Sequence, residues 1–170
     1  MEKFILLNPE NAIKEEVENW PTRSSARAVV FDDNGQIPLL HVQQHHYFKL
    51  PGGGVDEGET IEDALIRECL EEIGCNIIIE HHLGIIEEYR KIFTLHQISH
   101  CFLAKIIGNK GLPAFTDFEQ EKDFSLIWCS LDEAQNLLST CKPNDKEGRE
   151  YIVPRDLAIL SKAKEMLEAD

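Results

Sequence analysis

Apolar residues recur along this chain with two different periods, and the alternation between them predicts its elements. Phe4 to Leu7 reads as a short strand, and Ser24 to Phe31 as a buried one. Asp33, Asn34 and Gly35 then supply a tight turn, because Asn-Gly tolerates positive φ, and Ile37 to Val42 returns as a second strand. Phe48 to Pro51 leads into Gly52-Gly53-Gly54, a run that predicts a loop. The period then becomes helical. Thr60 caps the start, Asp63 sits where a capping box needs an acceptor, and Gly74 stands at the end. The spacing predicts a helix over 61–73. Asn76 to Tyr89 and Lys91 to Ile107 are rich in β-branched residues and read as two long paired strands. A loop over 108–123, a strand over 124–129, a helix from Leu131 capped by Ser130, and a last helix opened by Pro154 complete the pattern. Strands with interspersed helices make the fold class α/β, with helices covering a mixed sheet.

At 100° per residue, the helix over 61–73 puts Leu65, Ile66, Cys69, Leu70 and Ile73 on one arc and Ala64, Arg67, Glu68, Glu71 and Glu72 on the other. Carboxylates three and four residues apart repel by about a few tenths of a kcal/mol per pair. Arg67 relieves only part of this, and a hard divalent cation such as Mg²⁺, which takes carboxylate oxygens together with substrate phosphates, is the natural remainder. The glycines just before the helix let backbone approach such an ion or a phosphate closely.

Charge narrows the function. Seventeen Lys and Arg oppose 31 Asp and Glu, a formal net charge of −14. Such a chain repels nucleic-acid polymers and anionic membrane, but not a small phosphorylated molecule bridged to carboxylates by metal. The five cysteines, with no Cys-x-x-Cys pair, imply a reducing compartment. The apolar run at residues 1–7 is too short for a signal peptide, and no apolar stretch approaches the roughly 20 residues of a membrane span. The expected location is the cytoplasm.

Residues Gly53 to Cys75 read GGVDEGETIEDALIRECLEEIGC from Gly53 onward once the preceding Gly52 is set aside. Gly53, Glu59, Arg67, Glu68, Glu71, Glu72 and Gly74 fall on the spacing of the Nudix signature, with Cys69 and Cys75 in place of aliphatic residues. At roughly 7% per residue type, seven coincident matches have a chance near 10⁻⁸ per start position. The chain therefore resembles the Nudix hydrolases. The resemblance implies a single domain over 1–170 with an α/β/α sandwich and a mixed β-sheet, a Mg²⁺ or Mn²⁺ cofactor, and hydrolysis of a diphosphate linkage in a nucleoside-type substrate. It implies Glu68, Glu71, Glu72 and the Gly52 carbonyl as metal ligands, and an ion pair between Glu59 and Arg67 that orients the ligand helix. Glu71 and Glu72 are candidates for the catalytic base, as is an acid from a later loop, Glu119 or Glu121. The leading expectation is a nucleoside triphosphate pyrophosphohydrolase in a housecleaning role. The alternatives are a hydrolase of ADP-ribose, a nucleotide sugar or a dinucleoside polyphosphate, and a non-catalytic nucleotide-binding regulator. The family also commonly forms homodimers.

The candidate substrate contacts are Arg27 and Phe48, before the signature, and the signature's own Gly53 and Gly54, with Arg23 beside Arg27 on the same strand. Trp20, Tyr89 and Trp128 are aromatic enough to stack a base, although Trp128 reads as core. The histidines show no zinc spacing. Asp56, Glu57 and Glu62 read as surface acids.

Overall fold

The computed structural model describes residues 2–169; Met1, the first position of the short apolar run, and Asp170 lie outside the described residues. The elements run β1 (Lys3–Leu7), α1 (Lys14–Val17), β2 (Thr22–Phe31), β3 (Ile37–Val42), β4 (Tyr47–Lys49), β5 (Gly52–Gly54), α2 (Ile61–Ile73), β6 (Asn76–Arg90), β7 (Leu95–Ile107), α3 (Asp117–Glu121), β8 (Phe124–Cys129), α4 (Leu131–Thr140) and α5 (Val153–Ala169).

Two sheets form. The larger has the order β1-β6-β7-β2-β5 and is mixed: β1 runs parallel to β6 and β2 parallel to β7, while the other pairs are antiparallel. The smaller, β4-β3-β8, is antiparallel throughout. Because successive side chains on a strand point to opposite faces, β2 feeds two cores. Ala26, Ala28 and Val30 meet Leu65, Cys69 and Ile73 of α2, and Val29 joins Ile37, Leu39, Ile159 and Leu160 on the other side. Helix α2 therefore covers one face of the mixed sheet, and the small sheet with α5 covers the other, the layered α/β arrangement expected. Leu65 and Ile73 are fully buried, and each contributes roughly 1.5–3 kcal/mol of transfer free energy.

Helix α2 begins and ends where its signals placed it. Thr60 Oγ1 accepts the Asp63 amide, its hydroxyl donates to the Asp63 carboxylate, and Gly74 closes the helix at φ 66°. Several expectations are refined or corrected. The turn expected at 33–35 is present, with Gly35 at φ 72° and Asp32 Oδ1 accepting the amides of Asn34 and Gln36, but the strands it joins lie in two different sheets. The three glycines are not a loop: they form edge strand β5, paired with Ser25, Ala26 and Arg27. Glycine lacks strand propensity, but β2 supplies the pairing and an edge tolerates it. Residues 91–93 make a 3₁₀ turn, so β7 starts at Leu95. The segment 108–123 contains α3, capped by Thr116 with Glu119 in a full capping box. The last helix starts at Val153, one residue before Pro154, after a single π turn over Gly148–Ile152.

Candidate active site

The exposed edge of α2 and the strand before it are locked together by one guanidinium. Arg67 donates from Nε and Nη2 to the two carboxylate oxygens of Glu59, both at 2.9 Å, from Nη2 to the Gly54 carbonyl at 3.1 Å, and from Nη1 to Glu68 at 2.9 Å. Glu59 also accepts the Asp56 amide. The Arg67 hydrogen bonds hold the Glu59 carboxyl down at about 2, so this two-point pair stays ionised across the physiological range. It fixes the loop over 55–60 against the helix, through the ion pair expected of the two residues.

Glu72 takes the opposite course, inward. It is 1% exposed; its Oε2 accepts the Gly52 amide at 2.7 Å and its Oε1 accepts Lys49 Nζ at 2.7 Å. Burial raises its pKa to about 7, against the lowering pull of Lys49 and Arg27. From the other side of the strap, Asp156 Oδ2 accepts the Leu50 amide at 2.8 Å. Two buried carboxylates on α2 and α5 thus grip alternate amides of Leu50–Pro51–Gly52.

Glu68 lies against Gly53, where an added Cβ would stand 2.1 Å from its Oε1. Only glycine leaves that space. Glu71 is the most open of the three, with 39% of its side chain exposed and Arg67 Nη1 3.5 Å away. Its main-chain carbonyl takes the Ala114 amide, and Gly74 takes that of Gly111, so the segment after β7 is strapped to the end of the helix. Glu68 and Glu71 share Arg67 Nη1 while Glu72 turns inward, and no three acidic, histidine or cysteine side chains converge on one point among the described residues. The donor set nevertheless fits a hard divalent cation: all donors are oxygens, on adjacent turns, beside the cradle at Gly53 that a Cβ would fill.

Next to the box lies a cavity of about 550 Å³. It adjoins α2 through Lys49, and Arg23, Arg27, Arg90, Lys122 and Arg155 share its wall, with the aromatic rings of Tyr47, Phe93 and Phe118. In a chain with an excess of acids this is a local concentration of positive charge, suited to an anion beside an apolar ring system.

The expected substrate residues divide. Arg27 lines the cavity and faces Gly52 across the β2–β5 pair. Gly53 and Gly54 lie on the strand between the Glu68 carboxylate and the Arg23 guanidinium. Phe48 does not line the cavity; it stacks on His41 with centroids 4.3 Å apart, and its neighbours on β4, Tyr47 and Lys49, face the cavity instead. A strand alternates, so the aromatic position was one residue off in parity. Trp20, Tyr89 and Trp128 are not among the lining residues either. Glu119 is taken up by its own helix cap, accepting the Thr116 amide at 2.7 Å and hydroxyl at 2.8 Å. Glu121 is exposed on the same short helix.

Sequence reasoning missed Lys49 and the buried network behind the cavity. Glu88 receives Arg90 Nε at 2.6 Å and lies 3.6 Å from Arg155 Nη1, while Arg155 Nε donates to Asp156 at 2.7 Å. Arg155 and Asp156 begin a helix and Glu88 and Arg90 end a strand, so no local spacing joins them. The available signal was charge inside otherwise apolar or alternating segments.

A family model described as NUDIX domain matches residues 21–153. A putative 8-oxo-dGTP diphosphatase of Bacillus subtilis is 34% identical over 92 residues, covering 54% of this chain and 59% of that protein. An ADP-ribose pyrophosphatase of Methanocaldococcus jannaschii is 37% identical over 100 residues, covering 57% and 59%. The chain thus spans about three-fifths of the length of these curated relatives. The solution structure of the Escherichia coli ORF135 protein superposes with a TM-score of 0.62 at 18% identity, covering 89% of this chain and 95% of that one.

Proposed function

The chain belongs to the NUDIX domain family, and on that premise we propose that it hydrolyses a diphosphate linkage in a nucleoside triphosphate, using Mg²⁺ or Mn²⁺ held by Glu68, Glu71, Glu72 and the Gly52 carbonyl. One observation carries this reading: the box carboxylates stand beside a cavity whose wall is cationic and partly aromatic, the complement of a nucleotide. When bound, the metal supplies charge neutralisation on the phosphates and a lowered pKa for attacking water.

The chain's own residues do the rest. Arg67 and Glu59 fix the carboxylate-bearing face of α2. Glu72 and Asp156 hold the glycine strap so that its backbone stays close to the phosphates. Glu71, the most open of the three acids, is the candidate to take the proton from water. Arg27 and Lys49 meet the anionic oxygens, and Phe93 and Phe118, exposed at the cavity, meet the base. The name of the Bacillus relative supports a triphosphate, including an oxidised one, and that of the Methanocaldococcus relative supports ADP-ribose as the second reading. The five cysteines are free, as a reducing cytoplasm would keep them; no described helix is long and apolar enough to cross a membrane.

The test is a panel of nucleoside triphosphates, ADP-ribose, nucleotide sugars and dinucleoside polyphosphates assayed with Mg²⁺ and with Mn²⁺. Divalent-dependent release of a nucleoside monophosphate and pyrophosphate from a triphosphate supports the reading. Tight nucleotide binding without turnover on any substrate overturns it in favour of a regulator.

A further inference from the structure

Trp20 and Tyr89 have the aromatic surface to stack a base, yet neither lines the cavity beside α2. The structure brings them together elsewhere. With His96 they wall a second cavity of about 340 Å³, within the size range of small-molecule sites.

Strand register explains the grouping. Thr22, His96 and Tyr89 pair in turn across β2, β7 and β6, so they form one row on the sheet face that α2 covers farther along, at Ala26 and Phe102. The next row, Arg23, Gln97 and Glu88, points the opposite way, and Arg23 and Gln97 line the first cavity. The two cavities thus stand back to back, one sheet apart. Backbone brings Trp20 to the end of its row. Its amide donates to the Val17 carbonyl at 3.0 Å, and the carbonyl of the next residue, Pro21, accepts the His96 amide at 3.0 Å.

The three side chains are half-buried, and the Tyr89 and His96 rings meet edge to face with centroids 5.4 Å apart. His96 is left incomplete. Its Nε2 is shielded from solvent and has no hydrogen-bond partner among the described residues. The one carboxylate within 4.0 Å among them, Glu87, stands off at 3.9 Å and turns to Lys3 Nζ at 3.3 Å. A shielded polar atom without a partner costs stability, and a heteroatom of a ligand completes it. The charges of the wall balance in pairs, Lys3 with Glu87 and Lys14 with Glu18. No excess charge remains to call for a phosphate or for a cation. The side chain of Lys3 is 45% exposed, free to swing aside and admit a ligand to the imidazole.

We propose that this second cavity binds an uncharged planar nitrogen heterocycle, a purine-type base or its nucleoside. The ring stacks on Trp20 and Tyr89, because every base offers a π face to an aromatic side chain. A ring nitrogen or exocyclic amine meets His96 Nε2. The site is separate from the hydrolase cavity and does not depend on the hydrolase reading.

The experiment uses the full chain carrying Trp128→Phe, which leaves Trp20 as the sole tryptophan of the original two. Its emission is titrated in metal-free buffer with adenosine, with ribose and with tetramethylammonium. Adenosine is expected to quench it saturably, with half the effect at about 1 mM or below. Ribose and tetramethylammonium should leave it unchanged. Tyr89→Leu should abolish the saturable quench, and His96→Leu should weaken it about fivefold, the worth of one hydrogen bond. Circular dichroism shows whether each variant is folded; if Tyr89→Leu is not, His96→Leu decides. Phe118→Ala, in the first cavity, should not alter the curve. No saturable quench up to about 10 mM adenosine overturns the site. So does its loss in Phe118→Ala, or an unchanged curve in the folded variants at Tyr89 and His96. Quenching by tetramethylammonium without quenching by adenosine marks a cation cage and overturns it as well.

Discussion

Lys49 sets its ammonium 2.7 Å from Glu72 Oε1 in a pocket where the two side chains are 12% and 2% exposed, joining the cationic cavity to the carboxylate helix by a nearly dry ion pair. Breaking such a pair by removing one partner costs about 3–5 kcal/mol when the remaining charge cannot neutralise. Glu72 can neutralise, since its folded pKa already stands at about 7 against 4.5. Its protonated form is favoured by folding, so its contribution is fully present below pH 4.5 and is lost as pH rises through about 7. Lys49→Met in metal-free buffer should therefore lose more stability at pH 8 than at pH 5.5, read as the gap between native and variant denaturation midpoints at each pH. A gap independent of pH would contradict the pairing.

Gly52 and Gly53 are adjacent, yet alanine should act differently at each. At Gly52 the backbone has φ 127° and an added Cβ would stand 2.1 Å from the Ala26 carbonyl oxygen. Gly52→Ala should cost about 3 kcal/mol of stability. At Gly53 the obstacle is the flexible end of Glu68. Gly53→Ala should keep a near-native thermal midpoint and lose at least tenfold in kcat, because the carboxylate is pushed aside. Melting curves and steady-state kinetics on the two variants separate these effects.

Arg67→Lys retains the charge but not the two-point grip on Glu59 or the bond to Gly54. Since Arg67 is partly exposed, the change in stability should be small, within about 1 kcal/mol. Turnover should fall at least tenfold with little change in KM, because the loss is in positioning. A variant with native kcat would remove Arg67 from the machinery.

Glu10 accepts Lys146 Nζ at 2.6 Å, the Tyr151 hydroxyl at 2.7 Å and the Ile92 amide at 3.0 Å, tying the segment after β1 to the chain near α5. Lys146 chiefly holds its pKa at about 2, below the ordinary 4.5. A depressed carboxylate stabilises the fold above its unfolded pKa and loses that effect as pH falls through the folded one. Native protein should melt above Glu10→Gln at pH 5–7, and the difference should vanish as pH approaches about 2. Thermal scans across that range decide it.

What the sequence made legible follows from locality. Helix α2, its cap and its left-handed end lie within fifteen consecutive residues, so local spacing made them legible, whereas the Glu59–Arg67 pair was expected only from the resemblance to the family signature. Strands β3 and β8 matched their apolar runs for the same reason. The glycine strand was illegible because its only reason to be extended is pairing with β2, more than twenty residues away. The division into two sheets is likewise a tertiary choice made at the Asp32 turn. At β4 the aromatic Phe48 drew the eye, but alternation put Lys49 in the cavity, and nothing local sets that parity. Arg90, Arg155 and Asp156 meet only after β6 and α5 pack, so their network has no signature in spacing.

The central claim is that acids on α2 make anhydride cleavage depend on a divalent ion. Turnover of a nucleoside triphosphate with saturating Mg²⁺ by Glu71→Gln and by Glu72→Gln, each shown to be folded by circular dichroism, tests it most directly. The account predicts a fall in kcat on the order of a thousandfold in both, about 4 kcal/mol of barrier. Near-native turnover by both folded variants would contradict it.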